Sequence, residues 1–128
     1  MKGKTGEFVQ ECPFEVALNV IDGKWKLRIL HLLQNETLRY NELKDKIPGI
    51  TQKVLTSQLR QLEKDGIVSR KVYAEIPPRV EYSLTTIGKK LIHVYLALHT
   101  WALEYIGSDY IPGTGSNHLP GKPDEKIS

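Results

Sequence analysis

Five side chains, Gln52, Lys53, Thr56, Ser57 and Arg60, recur at i, i+1, i+4, i+5 and i+8, a spacing that gathers them on one face of an α-helix. Their types are those that hydrogen-bond to base edges: Gln toward adenine, Arg or Lys toward guanine, Ser or Thr toward bases or phosphates. The bland alternative is a solvated helix face. Such faces favour Glu and Lys pairs at i, i+4, whereas no acidic residue occurs from Thr51 to Leu62. Arg79 follows Pro77-Pro78, and an arginine at a hairpin tip can enter a narrow minor groove; the alternative is an ion pair with Glu75 or Glu81. Arg39, Lys44, Arg70 and Lys71 are candidates for phosphate contacts, which fix register without carrying sequence information.

Other chemistry finds no constellation. His31, His93, His99 and His118 lack metal-ligand spacing, and a single cysteine, Cys12, cannot supply a zinc cluster or an intramolecular disulfide. No phosphate-cradling glycine loop or nucleophile elbow occurs. No enzyme activity, cofactor or metal is expected. His93 and His99, on an otherwise apolar helix, read as buried or partner-facing. Cys12 precedes Pro13 at an expected helix start, where free amides favour a reactive thiolate; an inert small hydrophobe beside Phe14 and Val16 is the equal alternative.

The elements that must position these residues follow from periodicity. Residues 1–11 are polar with Gly3 and Gly6 and read as a flexible arm. A helix is expected from Pro13 to Val20, broken by Asp22-Gly23; a second carries Trp25, Ile29, Leu32 and Leu33 inward and Lys24, Lys26 and Arg28 on its wetter side. Leu38-Arg39-Tyr40 reads as a short strand or turn, with Asn41 able to cap a short helix bearing Leu43 and Ile47 on one face. Pro48-Gly49 makes a tight turn, Thr51 caps the helix Thr51 to Asp65, and Val54, Leu55, Leu59 and Leu62 are its buried side. Gly66 ends it. Ile67 to Glu75 and Arg79 to Leu84 read as strands, with Val68, Val72, Val80, Tyr82 and Leu84 at period two and Ile76-Pro77-Pro78 as their turn.

The longest helix, Thr86 to Gly107, carries the stripe Ile87, Leu91, Val94, Leu98, Trp101 and Tyr105 and a second stripe, Ile92, Leu96, Leu103 and Ile106. Two apolar sides need two burial partners, and one domain supplies only one. After Pro112, crowded Gly and Pro predict a disordered tail within residues 108–128. The order of elements over residues 12–107, mainly α with a small β wing (α+β), is that of a winged helix-turn-helix with added terminal helices. Length and the 40% hydrophobic content suit one folded domain. No apolar run spans a membrane and residues 1–11 lack a signal-peptide core, so the chain reads as cytoplasmic. Net charge is only +3, but residues 39–90 hold 11 Lys/Arg against 6 Asp/Glu, while residues 91–121 hold no Lys or Arg. The middle is basic and ligand-facing; the end is apolar and partner-facing.

The chain resembles the HxlR-type winged-helix transcription regulators, relatives of the MarR group. The resemblance runs through Cys12-Pro13, Asp22-Gly23-Lys24-Trp25, Leu38-Arg39-Tyr40-Asn41-Glu42-Leu43, Ile47-Pro48-Gly49-Ile50-Thr51-Gln52-Lys53, Asp65-Gly66-Ile67-Val68 and Pro77-Pro78-Arg79-Val80-Glu81-Tyr82-Ser83-Leu84-Thr85, within about Cys12 to Tyr105. It implies a bacterial or archaeal homodimer joined through its N- and C-terminal helices, with Phe14, Leu91, Val94, Tyr95, Leu98, Trp101 and Tyr105 at the interface, bound to a palindromic double-stranded operator. A repressor is expected. A cysteine matching Cys12 senses oxidants or electrophiles in several members, so the resemblance implies a redox role for some chains and not for others. The alternatives are a regulator answering to an unknown small effector without thiol sensing, and a winged-helix module that docks an acidic protein.

Overall fold

The structure, a computed structural model, describes residues 12–107; the expected arm and tail lie outside them. Pro13 occupies the first turn of α1 (Pro13–Ile21), where its missing N–H is no loss, and the Cys12 carbonyl accepts from the Glu15 and Val16 amides. No residue of α1 is buried. α2 (Lys26–Leu33) buries Ile29, Leu30, Leu33 and, contrary to its expected placement on the wetter side, Lys26, which is 4% exposed. The helical period explains the correction. Positions 26, 29, 30 and 33 are i, i+3, i+4 and i+7 of one stripe, and a lysine's long methylene stem can lie along apolar surface there.

β1 (Leu38–Arg39) leads directly into α3 (Tyr40–Lys46). The expected cap, Asn41, is already inside this helix: it begins at Tyr40, and the Glu42 carboxylate, in its first turn, accepts from the Arg39 backbone N–H at 2.8 Å. That is half of a capping box. Leu43 and Ile47 are buried, the turn passes through Gly49 at φ +86°, and α4 (Gln52–Lys64) begins with the Thr51 hydroxyl accepting from the Val54 amide at 3.1 Å. Few side chains other than glycine tolerate that φ. At the far end Ile67 N–H donates to the Leu62 carbonyl and Gly66 N–H to the Glu63 carbonyl, the Schellman pattern that satisfies the last turn.

β2 (Val68–Tyr73) and β3 (Arg79–Leu84) form an antiparallel hairpin, and β1 adds to the other edge of β3, giving the order β1-β3-β2. Val68, Tyr82 and Leu84 join the core. Val72, expected to be half-buried, is 52% exposed. It pairs with Val80 toward the distal end of the hairpin, so strand alternation continues there after the core has ended.

α5 (Thr86–Ile106) is capped by Thr85, whose hydroxyl accepts from the Gly88 amide at 3.1 Å and lies 2.7 Å from the Gly66 carbonyl, to which it donates. The Thr85 amide donates to the Ile67 carbonyl at 3.0 Å. Gly88 is buried against that same carbonyl, and a Cβ at this position would collide with it. The start of α5 is thereby joined to the end of α4.

The described residues divide into two compact units, the first ending at Ile92 and the second beginning at His93. The first contains the core, built on Ile29, Leu30, Leu43, Leu55, Leu59 and Leu62, with Leu91 packed partly against it and Ile92 at its margin. In the second, Val94, Leu96, Leu98, Trp101, Leu103 and Tyr105 are all exposed, Trp101 being 59% exposed and stacked on Tyr105 at 4.9 Å. His93 and His99 are exposed too, which removes the buried half of their expectation.

Because the Ile67 carbonyl is backbone and cannot step aside cheaply, Gly88→Ala is expected to cost about 1–3 kcal/mol, the usual toll of overpacking. Lys89→Ala, at an exposed neighbouring position, should stay within about 0.5 kcal/mol. Urea unfolding of both variants checks this.

Candidate nucleic-acid interface

The sequence of α4 divides it by polarity. Leu55, Leu59 and Leu62 are buried, each at most 2% exposed, and this fixes the helix's rotation about its axis. Gln52, Lys53, Ser57 and Arg60 consequently face outward, with Thr56 half-buried at their inner margin and Val54 also half-buried rather than enclosed. These five polar residues and Gln61 line one open concavity of about 680 Å³. The structure thus brings together the whole set expected on α4. Gln61, missed in the sequence, was findable: it follows Ser57 by four residues, and its amide donates to the Ser57 hydroxyl at 3.4 Å.

Tyr40 is the other residue that periodicity did not reveal. Its phenol, at the first position of α3, lies 3.0 Å from the Gln52 carbonyl and 3.1 Å from the Thr56 hydroxyl, tying the two helices together at the polar face. Sequence separations of 12 and 16 residues follow no local spacing rule.

The expected phosphate contacts separate by strand alternation. Arg70 pairs with Tyr82 and lines a recess of about 410 Å³ with Tyr40, Thr56, Leu59, Arg60, Glu63 and Tyr82, so it stands beside α4. Arg60 lines both concavities. Lys71 is on the opposite face of β2, its ammonium 5.1 Å from the centre of the Tyr73 ring. Arg39 and Lys71 both pair in register with Glu81, placing them on one sheet face. Lys44 is half-buried in the last turn of α3.

Arg79 is held by neighbours in its own hairpin. Its guanidinium bonds Glu75 at 2.9 Å and Glu81 at 3.0 Å and lies 3.8 Å from the centre of the Tyr73 ring. The side chain is only 26% exposed. Of the two readings of Arg79, the ion pair with Glu75 and Glu81 is the one present in this geometry. Removing the guanidinium from both carboxylates costs two charge-assisted bonds. Lys53, Arg60 and Arg70, among the described residues, enter no ion pair. Among the described residues the ion pairs are those of Arg79, so the cations of α4 and the adjoining strand are uncompensated, as are the lysines and arginines elsewhere.

Cys12 is exposed at the N-cap of α1, in extended backbone, and its side chain makes no cap hydrogen bond. Among the described residues no group of three His, Cys, Asp or Glu side chains is arranged to hold a metal. No helix of the described residues is long and apolar enough to cross a membrane.

The chain is similar to known proteins in sequence and fold. Residues 20–110 match the family model described as HxlR-like helix-turn-helix. The HTH-type transcriptional regulator YdeP of Bacillus subtilis is 47% identical over 94 residues, covering 73% of each chain. A structure of the redox regulator HypR in its oxidised form superposes with a TM-score of 0.69 at 46% identity, covering 73% of this chain and 96% of that one. The reduced form of the transcriptional regulator YodB from B. subtilis gives a TM-score of 0.66 at 35% identity, with 74% and 94% covered.

Proposed function

The chain belongs to the HxlR-like helix-turn-helix family of transcription regulators, and from that premise we propose that it represses transcription as a homodimer on a palindromic operator read by the exposed face of α4. Gln52, Lys53, Thr56, Ser57 and Arg60 meet base edges in the major groove. Arg70 holds a backbone phosphate beside them, and Arg39, Lys44 and Lys71 supply further positioning charge. The observation that carries this reading is the cationic, acid-free concavity of Gln52, Lys53, Thr56, Ser57, Arg60 and Gln61 on a helix whose other side is locked in the core. Its side chains are rigidly based and chemically matched to base edges.

The dimer rests on the second unit. Six large apolar side chains exposed along residues 94–105 form a surface that a monomer would leave in water. A second copy of the same helix is the self-complementary partner that a two-fold interface requires. Phe14, 66% exposed, and Leu18 on α1 offer further apolar surface. A two-fold pair of α4 helices addresses half-sites one helical turn, about 34–36 Å, apart.

A thiol response is a second layer of the same reading. Cys12 is exposed at a helix start, and HypR is described as a redox regulator. Modification of Cys12 would alter the placement of the paired recognition helices, and so operator affinity.

Arg60→Ala should weaken binding to a selected operator by about 1–3 kcal/mol and relax base preference, while Arg70→Ala weakens all duplexes alike and flattens the salt slope by about one unit. Fluorescence titrations over a range of salt separate the two; equal losses for Arg60→Ala on operator and random duplex would remove its base-reading role. Trp101→Asp is expected to convert a dimer into monomers by sedimentation, and an unchanged mass would displace the interface from this helix. For the thiol, operator affinity should change with diamide in the native chain and stay constant in Cys12→Ser. An identical response in both would eliminate Cys12 as the sensor.

A further inference from the structure

The bonding of Tyr40 has a consequence for what Thr56 can recognise. A phenol has one proton to donate. Tyr40 Oη stands 3.0 Å from the Gln52 carbonyl oxygen, which can only accept, so the phenolic proton belongs to that contact. The contact of Tyr40 Oη with Thr56 Oγ1, at 3.1 Å, must then use the threonine proton. The reverse assignment would leave the phenolic and carbonyl oxygens 3.0 Å apart with no proton between them. Thr56 is half-buried, which limits the other directions open to its hydroxyl, yet it lines the outward concavity with Gln52, Lys53, Ser57 and Arg60. What it presents there is lone pairs and a methyl group.

We propose that Tyr40 is a specificity-determining residue that fixes Thr56 as a hydrogen-bond acceptor toward DNA. The inference rests on the reading of α4 as the base-contacting helix. In the major groove adenine and cytosine carry exocyclic amino donors, at N6 and N4, whereas guanine and thymine present acceptors in the corresponding region. An unconstrained threonine hydroxyl serves either kind. One whose proton is committed to Tyr40 accepts from adenine or cytosine and meets the acceptor edges of guanine or thymine with repulsion. The contacted position in each half-site is therefore restricted to adenine or cytosine on one strand. Tyr40 touches no base itself and acts through Thr56. The same phenol also holds the first turn of α4 through Gln52, so its removal must be judged by base preference and not by affinity alone.

Selection of bound duplexes from a random pool, with the full chain and its Tyr40→Phe and Thr56→Val variants, tests this. Phenylalanine keeps the ring and removes only the hydroxyl. The native chain should select adenine or cytosine at one position per half-site by about five- to tenfold, the worth of one hydrogen bond. That same position should lose its restriction in both variants, while the other positions and the salt slope stay as they were. Uniform weakening without a change of preference at that position in Tyr40→Phe would show a structural role only and overturn the proposal. So would a native preference for guanine or thymine at the position that Thr56→Val alters. A native chain that selects no sequence at all would instead overturn the reading of α4 on which the proposal rests.

Discussion

The burial of Leu55, Leu59 and Leu62 in the core is the constraint on which the rest depends. A helix turns about 100° per residue, so anchoring one row of side chains determines the direction of all others. Rotation of α4 by a single residue would carry Arg60 and Ser57 toward the core and bring leucine into water. The ends are held as firmly, by the Thr51 cap before the first turn and by the Schellman bonds through Gly66 and Ile67 after the last. From there the constraint passes onward. The Ile67 carbonyl that begins the wing also receives the Thr85 amide and abuts Gly88, so helix, wing and the start of α5 share one junction.

Charge pairing is confined to one residue among those described, with Glu75 and Glu81 gripping Arg79 over the Tyr73 ring. On α4 and the adjoining strand Lys53, Arg60 and Arg70 are free of ion pairs among the described residues. An anionic partner gains most where cations are not already compensated, because no existing pair must be broken first. The proposed interface is centred on α4 and Arg70 because there unpaired cations stand beside side chains matched to base edges.

Much of this was legible in the chain because amphipathic periods are strong signals. The leucine row of α4, the Pro48-Gly49 turn, the Thr51 cap and the inward Val68, Tyr82 and Leu84 of the hairpin all fall where spacing put them. What escaped is what depends on the extent of the core or on pairs distant in sequence. Lys26 continues an apolar stripe despite its charge, and Val72 continues a strand beyond the apolar neighbours that would bury it. Arg79 had either of two carboxylates available on spacing alone, and the folded hairpin brings it to both. Tyr40 bonds across a turn to residues 12 and 16 positions away, which no helix or strand period encodes. The apolar sides of α5 signalled a missing partner, and the exposure of Val94, Leu98 and Trp101 accords with that need.

In the proposed dimer the two units have separate tasks, one presenting a rigid polar face and the other setting the distance between two such faces. Its central claim is that the exposed side of α4 reads base sequence. The most direct test titrates the full chain, at one fixed salt concentration, against its selected operator and against a shuffled duplex of the same length and composition. The account predicts an affinity ratio of about 10³ or more, within the range of specific DNA-binding proteins. A ratio near one would show that the face binds phosphate charge alone and would contradict it.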